Sequence, residues 1–246
     1  MENAQLVAHS RLQTLQRQLD VLANNIANAG TTGFKSRGMQ FSEYLMPKAR
    51  TDAYRGDARN ISFVIDRGAS LDFTDGAIER TGNATDIALR GQTLLAVKTT
   101  GGERYTRNGS LATNAKGEIV TSDGHVVLGD GGPIIADPAD GPLEITADGT
   151  VGNRSGPLGK LKIVDVTNPS LLSNVGANLY SAKSPLSVSK NPQIAVGSVE
   201  KSNVQPVMAM SRLIEVTRAY SALTTSMQRL DETKKNALER LATIPA

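Results

Sequence analysis

Two long stretches, one near each end of the chain, repeat apolar residues at alternating spacings of three and four. This spacing is typical of a helix that packs a narrow stripe against other helices. We therefore predict terminal assembly helices over 1–29 and 207–243, with Asn203 as a cap for the second. The predicted assembly interface consists of these stripes, namely Leu12, Leu15, Leu19, Leu22, Ile26, Leu213, Val216, Tyr220, Leu223, Met227, Leu230 and Leu241.

The middle of the chain has a different pattern. Glycine-containing pairs such as Asn108-Gly109 recur every seven to ten residues, with short β-type runs between them. Asn-Gly and Asp-Gly favour the tight turns of antiparallel hairpins, so the spacing predicts a β-rich body over 71–182, as a meander or small barrel. The flanking stretches 30–70 and 183–206 show neither period, and we predict that they are extended connectors.

The predicted fold class is therefore α+β, with long N- and C-terminal helices packed together in a coiled-coil-like manner and a central antiparallel β-rich domain. Burying a stripe side chain stabilises by about 2 kcal/mol, whereas ordering each residue costs about 1–2 kcal/mol of backbone entropy. An isolated helix is therefore marginal. The helices need neighbours, which can be the other end of the same chain or further subunits in an assembly.

Composition narrows the function classes. The 246 residues carry a formal charge of +3, 39% hydrophobic residues and 4% aromatic residues. Basic residues are scattered and not interleaved with aromatics, so we expect no nucleic-acid partner. No apolar run approaches the length of about 18 residues that a membrane span needs, so we expect no membrane insertion. The N-terminal 30 residues also lack the basic patch and apolar run of a cleaved signal peptide.

The chemistry-bearing residues indicate no active site. The chain has no Cys and two His, which leaves no zinc-binding set and no cysteine nucleophile. His125 lies near Asp123 in sequence, but the Gly-x-Ser-x-Gly turn of a serine hydrolase is absent. No phosphate-binding or dinucleotide-binding glycine motif is present either. We therefore expect no catalytic residue, no metal and no cofactor.

Three segments carry a family resemblance. Residues 23–35 (ANNIANAGTTGFK) resemble the N-terminal signature of flagellar rod and hook proteins, and residues 200–204 (EKSNV) resemble their C-terminal signature. Between them, residues 81–91 (TGNATDIALRG) are similar to the body motif of the same family, and residues 105–109 (YTRNG) stand where its continuation is expected. The motif residues selected by this resemblance are Asn24, Asn25, Asn28, Gly33, Phe34, Gly82, Asn83, Asp86, Gly91, Ser202, Asn203 and Val204.

The motif residues have local as well as functional interpretations. The amides of Asn24, Asn25 and Asn28 can cap a helix end, or they can hold a connector or a neighbouring subunit. Gly33 and Gly82 are expected to serve turn geometry, with direct subunit contact as the alternative. Phe34 can anchor an interface or belong to a local core.

Within the family, the opening residues 1–4 and the run 41–47 look most like the proximal-rod members. One departure follows Gly91, where the family usually has a Gly and then a Phe and this chain has Gln92-Thr93-Leu94-Leu95. The β pattern survives the change, but we expect a glycine-dependent turn, and with it the local surface, to differ from the rest of the family.

The resemblance implies a structural, non-enzymatic subunit of the bacterial flagellar basal body. Such a subunit polymerises through its terminal helices into the proximal rod, which spans the periplasm and transmits torque from motor to hook. The implied partners are other rod proteins, copies of itself and the flagellar export apparatus, which secretes it by type III export without cleaving a signal peptide. Two alternatives stay open. One is a distal-rod or hook axial protein, and the other is a secreted β-domain enzyme or ligand-binding protein with a coiled-coil tether.

Overall fold

The computed structural model describes residues 2–46, 61–137 and 140–242, and within them it leaves out the side chains of 2–6, 40–46, 61–69, 238 and 240–242. The side chains of residues 1–4 and 41–47, on which the resemblance to proximal-rod members rests, therefore lie outside the description, as do the side chain of Leu241 and the middle of the predicted connector. The chain divides into two compact units. Unit 1 comprises Met1–Ile26, Arg37–Ser70 and Pro206–Ala246, and unit 2 comprises Ala27–Ser36 and Leu71–Gln205.

Unit 1 is built from the two long helices. Helix α1 is Glu2–Ala27 and helix α2 is Pro206–Ala242. The two helices pack together, and Leu12 and Tyr220 line one surface groove that both helices form. Proline at the first position of α2 costs no hydrogen bond, because the N–H groups of the first turn have no partner within the helix. The predicted helix at each end of the chain is thus confirmed.

The apolar stripes of both helices are turned inward for most of their length. Val216 is 3% exposed, whereas Leu230 is 49% exposed. The other stripe residues whose side chains are described are half-buried, namely Leu12, Leu15, Leu19, Leu22, Ile26, Leu213, Tyr220, Leu223 and Met227.

Two strands complete unit 1, and they lie in the stretch that the sequence pattern assigns to a connector. Strand β1 is Arg37–Met46 and strand β2 is Ile61–Leu71, and the two pair as a two-stranded sheet. The hydroxyl of Ser70 donates to the carbonyl of Gly38 across this pair.

Unit 2 is the predicted antiparallel β-rich region, which is confirmed. Its strands are β3 Ile78–Arg80, β4 Ile87–Leu89, β5 Thr93–Thr99, β6 Gly102–Thr106, β7 Leu111–Thr113, β8 Ile119–Thr121, β9 Val126–Gly129, β10 Gly132–Pro133, β11 Glu144–Ile145, β12 Thr150–Asn153, β13 Gly156–Lys160, β14 Ile163–Asp165, β15 Leu172–Gly176, β16 Leu179–Ala182, β17 Ser187–Val188, β18 Ile194–Val196 and β19 Ser198–Glu200. The main sheet runs β15-β16-β6-β5-β9-β8-β7, with β10, β14 and β17 attached beside it.

Strand β5 is the centre of this sheet. It pairs with β6 along one edge and with β9 and β14 along the other. Successive side chains of a strand point to opposite faces. Leu95 and Val97 accordingly enter one apolar core, and Leu94 and Ala96 enter a second core on the other face. Burial on both faces explains why β5 reads as a continuous apolar run.

The turn predictions hold at some glycines and fail at others. Gly102 at the start of β6, and Gly124 between β8 and β9, have positive φ at tight hairpin turns. Asp140-Gly141 is flanked by β10 and β11, which belong to different sheets. Asn108-Gly109 does not close a hairpin, because β6 pairs with β5 and β16, whereas β7 pairs with β8. Gly109 is instead required by close packing, since an added Cβ would lie 1.8 Å from the carbonyl oxygen of Ile87.

The second predicted connector, 183–206, also contains short paired strands. β17 pairs with β14, β18 with β4 and β19 with β3, all antiparallel. These pairings attach the last part of the chain before α2 to the body. No helix in the described part of the chain is long and apolar enough to cross a membrane.

Candidate functional site

A buried carboxylate, that of Glu200 at the end of β19, joins three distant parts of the sequence. Its Oε1 accepts hydrogen bonds from Lys35 Nζ at 2.7 Å and from the N–H of Gly76 at 2.8 Å. Its Oε2 accepts from Arg107 Nε at 2.5 Å. The side chains of Lys35, Arg107 and Glu200 are at most 1% exposed. Both oxygens are thus paired, as a buried charge requires.

Arg107 uses all of its donors inside the body. Besides the bond from Nε, its Nη1 donates to the carbonyls of Gly91 and Thr93, at 2.5 and 2.6 Å. Its Nη2 donates to the carbonyl of Leu89 at 2.7 Å and to the half-exposed carboxylate of Asp75 at 3.1 Å. Five acceptors match the five N–H groups of a guanidinium, so this arginine is held in one orientation.

The charged form of Lys35 is less stabilised in this cluster than the charged form of Glu200. Its ammonium donates to the carbonyl of Thr74 at 2.7 Å as well as to Glu200. Burial lowers the pKa of Lys35, and the hydrogen bond and negative charge of Glu200 offset this only in part, while the Arg107 charge lowers it further. Burial alone would raise the pKa of Glu200, but Arg107, Lys35 and the Gly76 N–H outweigh it and hold that pKa below its ordinary 4.5.

The N-terminal motif, which contributes the side chain of Lys35, also makes backbone hydrogen bonds near this cluster. The N–H of Gly33 donates to the carbonyl of Glu200 at 2.7 Å, and the carbonyl of Thr32 accepts from the side chain of Asn178 at 3.0 Å. Gly33 has φ +66°, and an added Cβ would lie 2.4 Å from the carbonyl oxygen of Arg107. Only glycine fits both the conformation and the contact.

Two asparagines of the family motifs, Asn203 and Asn25, accept hydrogen bonds from the backbone N–H groups of two consecutive residues, Ser36 and Arg37. In unit 2, Asn203 Oδ1 accepts from the N–H of Ser36 at 2.7 Å, and its Nδ2 donates to the carbonyl of Asp72 at 2.9 Å. In unit 1, Asn25 Oδ1 accepts from the N–H of Arg37 at 3.0 Å, and its Nδ2 donates to the carbonyl of the same residue at 2.9 Å. Asn203 is therefore not the cap predicted for α2, which begins three residues later at Pro206.

The remaining N- and C-terminal motif residues have local roles. The backbone and side-chain oxygens of Asn28 accept from the N–H and hydroxyl of Thr31, which form a turn after α1. Phe34 is buried in unit 2. The hydroxyl of Ser202 accepts from the N–H of Val204. Asn24 is exposed and also makes a polar interaction.

The body motif forms a tight loop around Asp86. The carbonyl of Asn83 accepts from the N–H of Asp86, and the hydroxyl of Thr81 donates to the Asp86 carboxylate at 2.8 Å. The other carboxylate oxygen is buried and finds no hydrogen-bond donor among the described residues. Gly82 and Gly91 adopt positive φ, at +77° and +69°, with open space where a Cβ would be.

We call the cluster of Lys35, Asp75, Arg107, Glu200 and Asn203 the junction. Of these residues, only Asn203 is among the motif residues that the sequence reading selected. Lys35, Arg107 and Glu200 each lie in a quoted motif, and the available signal was that Lys35 and Arg107 are the single charged residues of their motifs and Glu200 is the single acidic residue of its own. The structure brings these three together within hydrogen-bond distance.

The arrangement is suited to holding segments together. Each charged group of the junction is engaged by other protein groups. In the described part of the chain, no cluster of three or more His, Asp or Glu side chains could hold a metal ion. The chemistry available at the junction is therefore mutual neutralisation and hydrogen bonding between the N-terminal motif, the body and the C-terminal motif.

Comparison with known proteins covers the same three regions. Residues 6–35 match the family model described as flagella basal body rod protein, and residues 195–240 match that of the flagellar basal body rod FlgEFG protein C-terminal region. Residues 88–153 match the flagellar hook protein FlgE/F/G D1 domain. Lys35, Arg107 and Glu200 thus lie one in each matched region.

Full-length relatives agree with these matches. The chain is 39% identical to the flagellar basal-body rod protein FlgF of Caulobacter vibrioides, with 99% of this chain and 100% of the relative covered. It is 31% identical to FlgF of Mesorhizobium japonicum, with 98% of each covered. It is also 32% identical to the rod protein FlgG of Agrobacterium fabrum, with 87% of this chain and 90% of the relative covered. The chain therefore belongs to the family of flagellar basal-body rod proteins, among which it is similar over its whole length to those named FlgF.

Proposed function

We propose that this chain, a structural subunit of the flagellar basal-body rod, forms the proximal rod by polymerising through its terminal helices. The observation that carries the proposal is the state of the two helices. Their stripes are half-buried within one chain, and further apolar side chains of α2 are exposed, namely Val207 at 76%, Met208 at 65%, Met210 at 51% and Ile214 at 54%. Exposed apolar surface of this kind marks an interaction site.

The length of α2 supports an assembly role. The helix has 37 residues, which corresponds to about 55 Å. A long stripe that one partner helix leaves half-exposed has room for helices of neighbouring subunits, in the coiled-coil-like packing that the residue spacing predicts. The partners are other rod proteins and copies of the same chain. The stripe residues central to the proposed interface are Leu15, Leu19, Leu22, Tyr220, Leu223 and Met227.

The β-rich body serves as a mechanical layer in this proposal. Torque that passes from motor to hook through a rod has to pass through each subunit without deforming it. Glu200 and Arg107 are buried and carry several short hydrogen bonds each, and a fully satisfied buried polar network rigidifies its surroundings. The role is structural, with no catalytic step, in a rod that spans the periplasm. The subunit arrives there through the flagellar export apparatus, without cleavage of a signal peptide.

A pair of matched variants tests the helix interface. Leu223→Asp places a charge on the half-buried stripe, whereas Ser221→Asp places the same charge on an exposed position of the same helix. We expect Leu223→Asp to abolish incorporation into basal bodies and motility, with the hydrogen-exchange protection of β5 and β6 unchanged. Ser221→Asp should retain at least partial incorporation. If both variants were incorporated, or if neither were, the assignment of the stripe as the interface would be contradicted.

Electron microscopy of basal bodies from cells that lack the gene tests the place in the rod. A proximal-rod subunit predicts that the membrane-embedded base forms and the rod fails to extend from it. A rod of partial length would assign the chain to the distal rod or hook instead. Complete rods with motile filaments would remove the axial role altogether.

A further inference from the structure

The junction depends on Glu200, which lies far along the sequence from the other two buried charged residues. Lys35 and Glu200 are 165 residues apart, and Arg107 and Glu200 are 93 residues apart. Until Glu200 is in place, two cations face the same buried site with Asp75 as the neighbouring carboxylate, and that carboxylate is 53% exposed. The mutual repulsion of these cations is one of the causes that lower the pKa of Lys35. Two uncompensated cations cannot be buried together at low cost.

The same late segment supplies backbone partners to the early ones. Within residues 194–203, which we call the closing arm, the carbonyl of Glu200 accepts from Gly33 and the side chain of Asn203 accepts from Ser36. The arm's N–H of Lys201 also donates to the carbonyl of Ala77. Buried backbone amides need such partners. The segment 31–36 is therefore completed by the arm, even though the two are separated by most of the chain.

The arm pairs with strands outside the main sheet, and only its first residue, Ile194, is part of the apolar core cluster among the described residues. Its strands β18 and β19 pair only with β4 and β3 in the described chain, over three residues each, in two-stranded sheets apart from the main sheet. Gly76 lies directly against the arm, where an added Cβ would be 2.0 Å from the carbonyl oxygen of Lys201. An element whose strands pair outside the main sheet can detach while that sheet stays folded.

We infer that the closing arm is a latch, and that docking of Glu200 between Lys35 and Arg107 is the step that allows the segment 31–36 to be buried on the body. The main sheet forms without this step, whereas the N-terminal segment stays open until residues 194–203 have joined. Helix α2 begins at Pro206, directly after the arm. Resting on the proposed function, the latch would keep a subunit from closing during export until its C-terminal part has emerged.

Hydrogen exchange of the purified full chain, followed by mass spectrometry, tests the latch. Glu200→Gln removes the carboxylate charge and keeps the side-chain size. We expect exchange in peptides covering 31–36 and 72–77 to accelerate by about 100-fold or more, the loss typical when a buried charge partner is removed. Exchange in β5 should remain much slower than exchange at 31–36, because the main sheet stays folded when the arm is undocked. Unchanged exchange at 31–36, or exchange in β5 as fast as at 31–36, would overturn the latch.

A matched control separates this effect from ion pairing in general. Glu79 pairs with Lys201 of the arm, but both side chains are more than half exposed. Glu79→Gln should therefore leave exchange at 31–36 unchanged, because exposed pairs contribute little. An effect as large as that of Glu200→Gln would show that any loss of arm charge opens the segment, and it would refute the specific role of Glu200. A second variant, Gly76→Ala, blocks the docked arm sterically with all charges intact, and it should open 31–36 in the same way.

Acid titration of the wild-type chain gives a readout that needs no variant. Lys35, Arg107 and the Gly76 N–H contact Glu200, Asp75 contacts Arg107, and the pKa of Glu200 lies below 4.5. As pH falls through that pKa, the latch should open, so protection at 31–36 should be lost at a higher pH than protection in β5. Simultaneous loss would overturn the proposal. These measurements use the monomer, so the latch can fail while rod assembly stands, and rod assembly can fail while the latch stands.

Discussion

A comparison of alanine substitutions at Gly33 and Gly82 isolates the free-energy cost of one backbone contact. Both adopt positive φ, at +66° and +77°. Replacing either by Ala places a Cβ in a left-handed conformation, which costs about 1–2 kcal/mol. The lower entropy of the unfolded chain returns about 0.4–1 kcal/mol. This part of the change in the free energy of unfolding is the same at the two positions, so Gly82→Ala should destabilise by about 1 kcal/mol.

Gly33→Ala carries an additional cost that follows from its surroundings. Its Cβ would lie 2.4, 2.5 and 2.7 Å from backbone atoms of Arg107 and Asn108, whereas a Cβ at Gly82 meets nothing within 4 Å. Backbone atoms cannot rotate away, and relieving such an overlap costs about 1–3 kcal/mol. The shift also weakens the bond from the Gly33 N–H to Glu200, worth about 1 kcal/mol. We therefore expect Gly33→Ala to destabilise by about 3–4 kcal/mol.

The free energy of unfolding of unit 2 can be measured from the exchange protection of the slowest amides in β5. The expected difference between the two variants is about 2–3 kcal/mol, since the conformational cost cancels. If Gly33→Ala and Gly82→Ala lose the same free energy, the contact with Arg107 has no energetic consequence. The explanation of Gly33 would then reduce to turn geometry.

Three further predictions follow from the polar contacts. Glu200→Gln should destabilise unit 2 by about 3–5 kcal/mol, whereas Lys35→Met should cost about 1 kcal/mol or less, since it leaves Glu200 paired with Arg107. Urea unfolding of the two variants compares these losses. Equal losses would contradict the inference that Lys35 stabilises Glu200 less than Arg107 does. The stability advantage of wild type over Glu200→Gln should be fully present above pH 4.5 and shrink as pH falls through the lowered pKa; an advantage that is constant from pH 3 to 7 would disprove this titration. Asn25→Ala removes both hydrogen bonds to the backbone of Arg37 and should cost about 2 kcal/mol. The measurement is hydrogen exchange of the Arg37 amide, which should be faster than in wild type. Exchange at the wild-type rate would show that these two hydrogen bonds contribute nothing.

The helices and the β-rich body follow from the sequence because their signals are local. A spacing of three and four places side chains on one face of a helix whatever lies elsewhere in the chain. This is why the ends of the chain could be predicted as helices, over 1–29 and 207–243, and the structure has helices there at Glu2–Ala27 and Pro206–Ala242. The hairpin turns at Gly102 and Gly124 could be predicted for the same reason, since a turn joins strands that are adjacent in sequence.

The failed expectations concern residues whose role is set by distant partners. Asn203 has the side chain of a helix cap, but its amide is used by Ser36, 167 residues away. Asn108-Gly109 has the composition of a hairpin turn, but Gly109 is packed against Ile87 of another strand. Local composition describes what a residue can do, and the competition between partners is decided only when the chain is folded.

The sequence by itself determined the two terminal helices, the β-rich body, the family and the segments that carry its motifs, whereas the strands β1 and β2 in the predicted connector came from the structure. Only the tertiary structure decided that Lys35, Arg107 and Glu200 share one buried site. A charged residue carries no periodic signal, and its sequence neighbours do not reveal which charges it will meet across 93 or 165 residues. Burial then makes the pairing decisive, because a charge removed from water needs an opposite charge and hydrogen-bond partners in place.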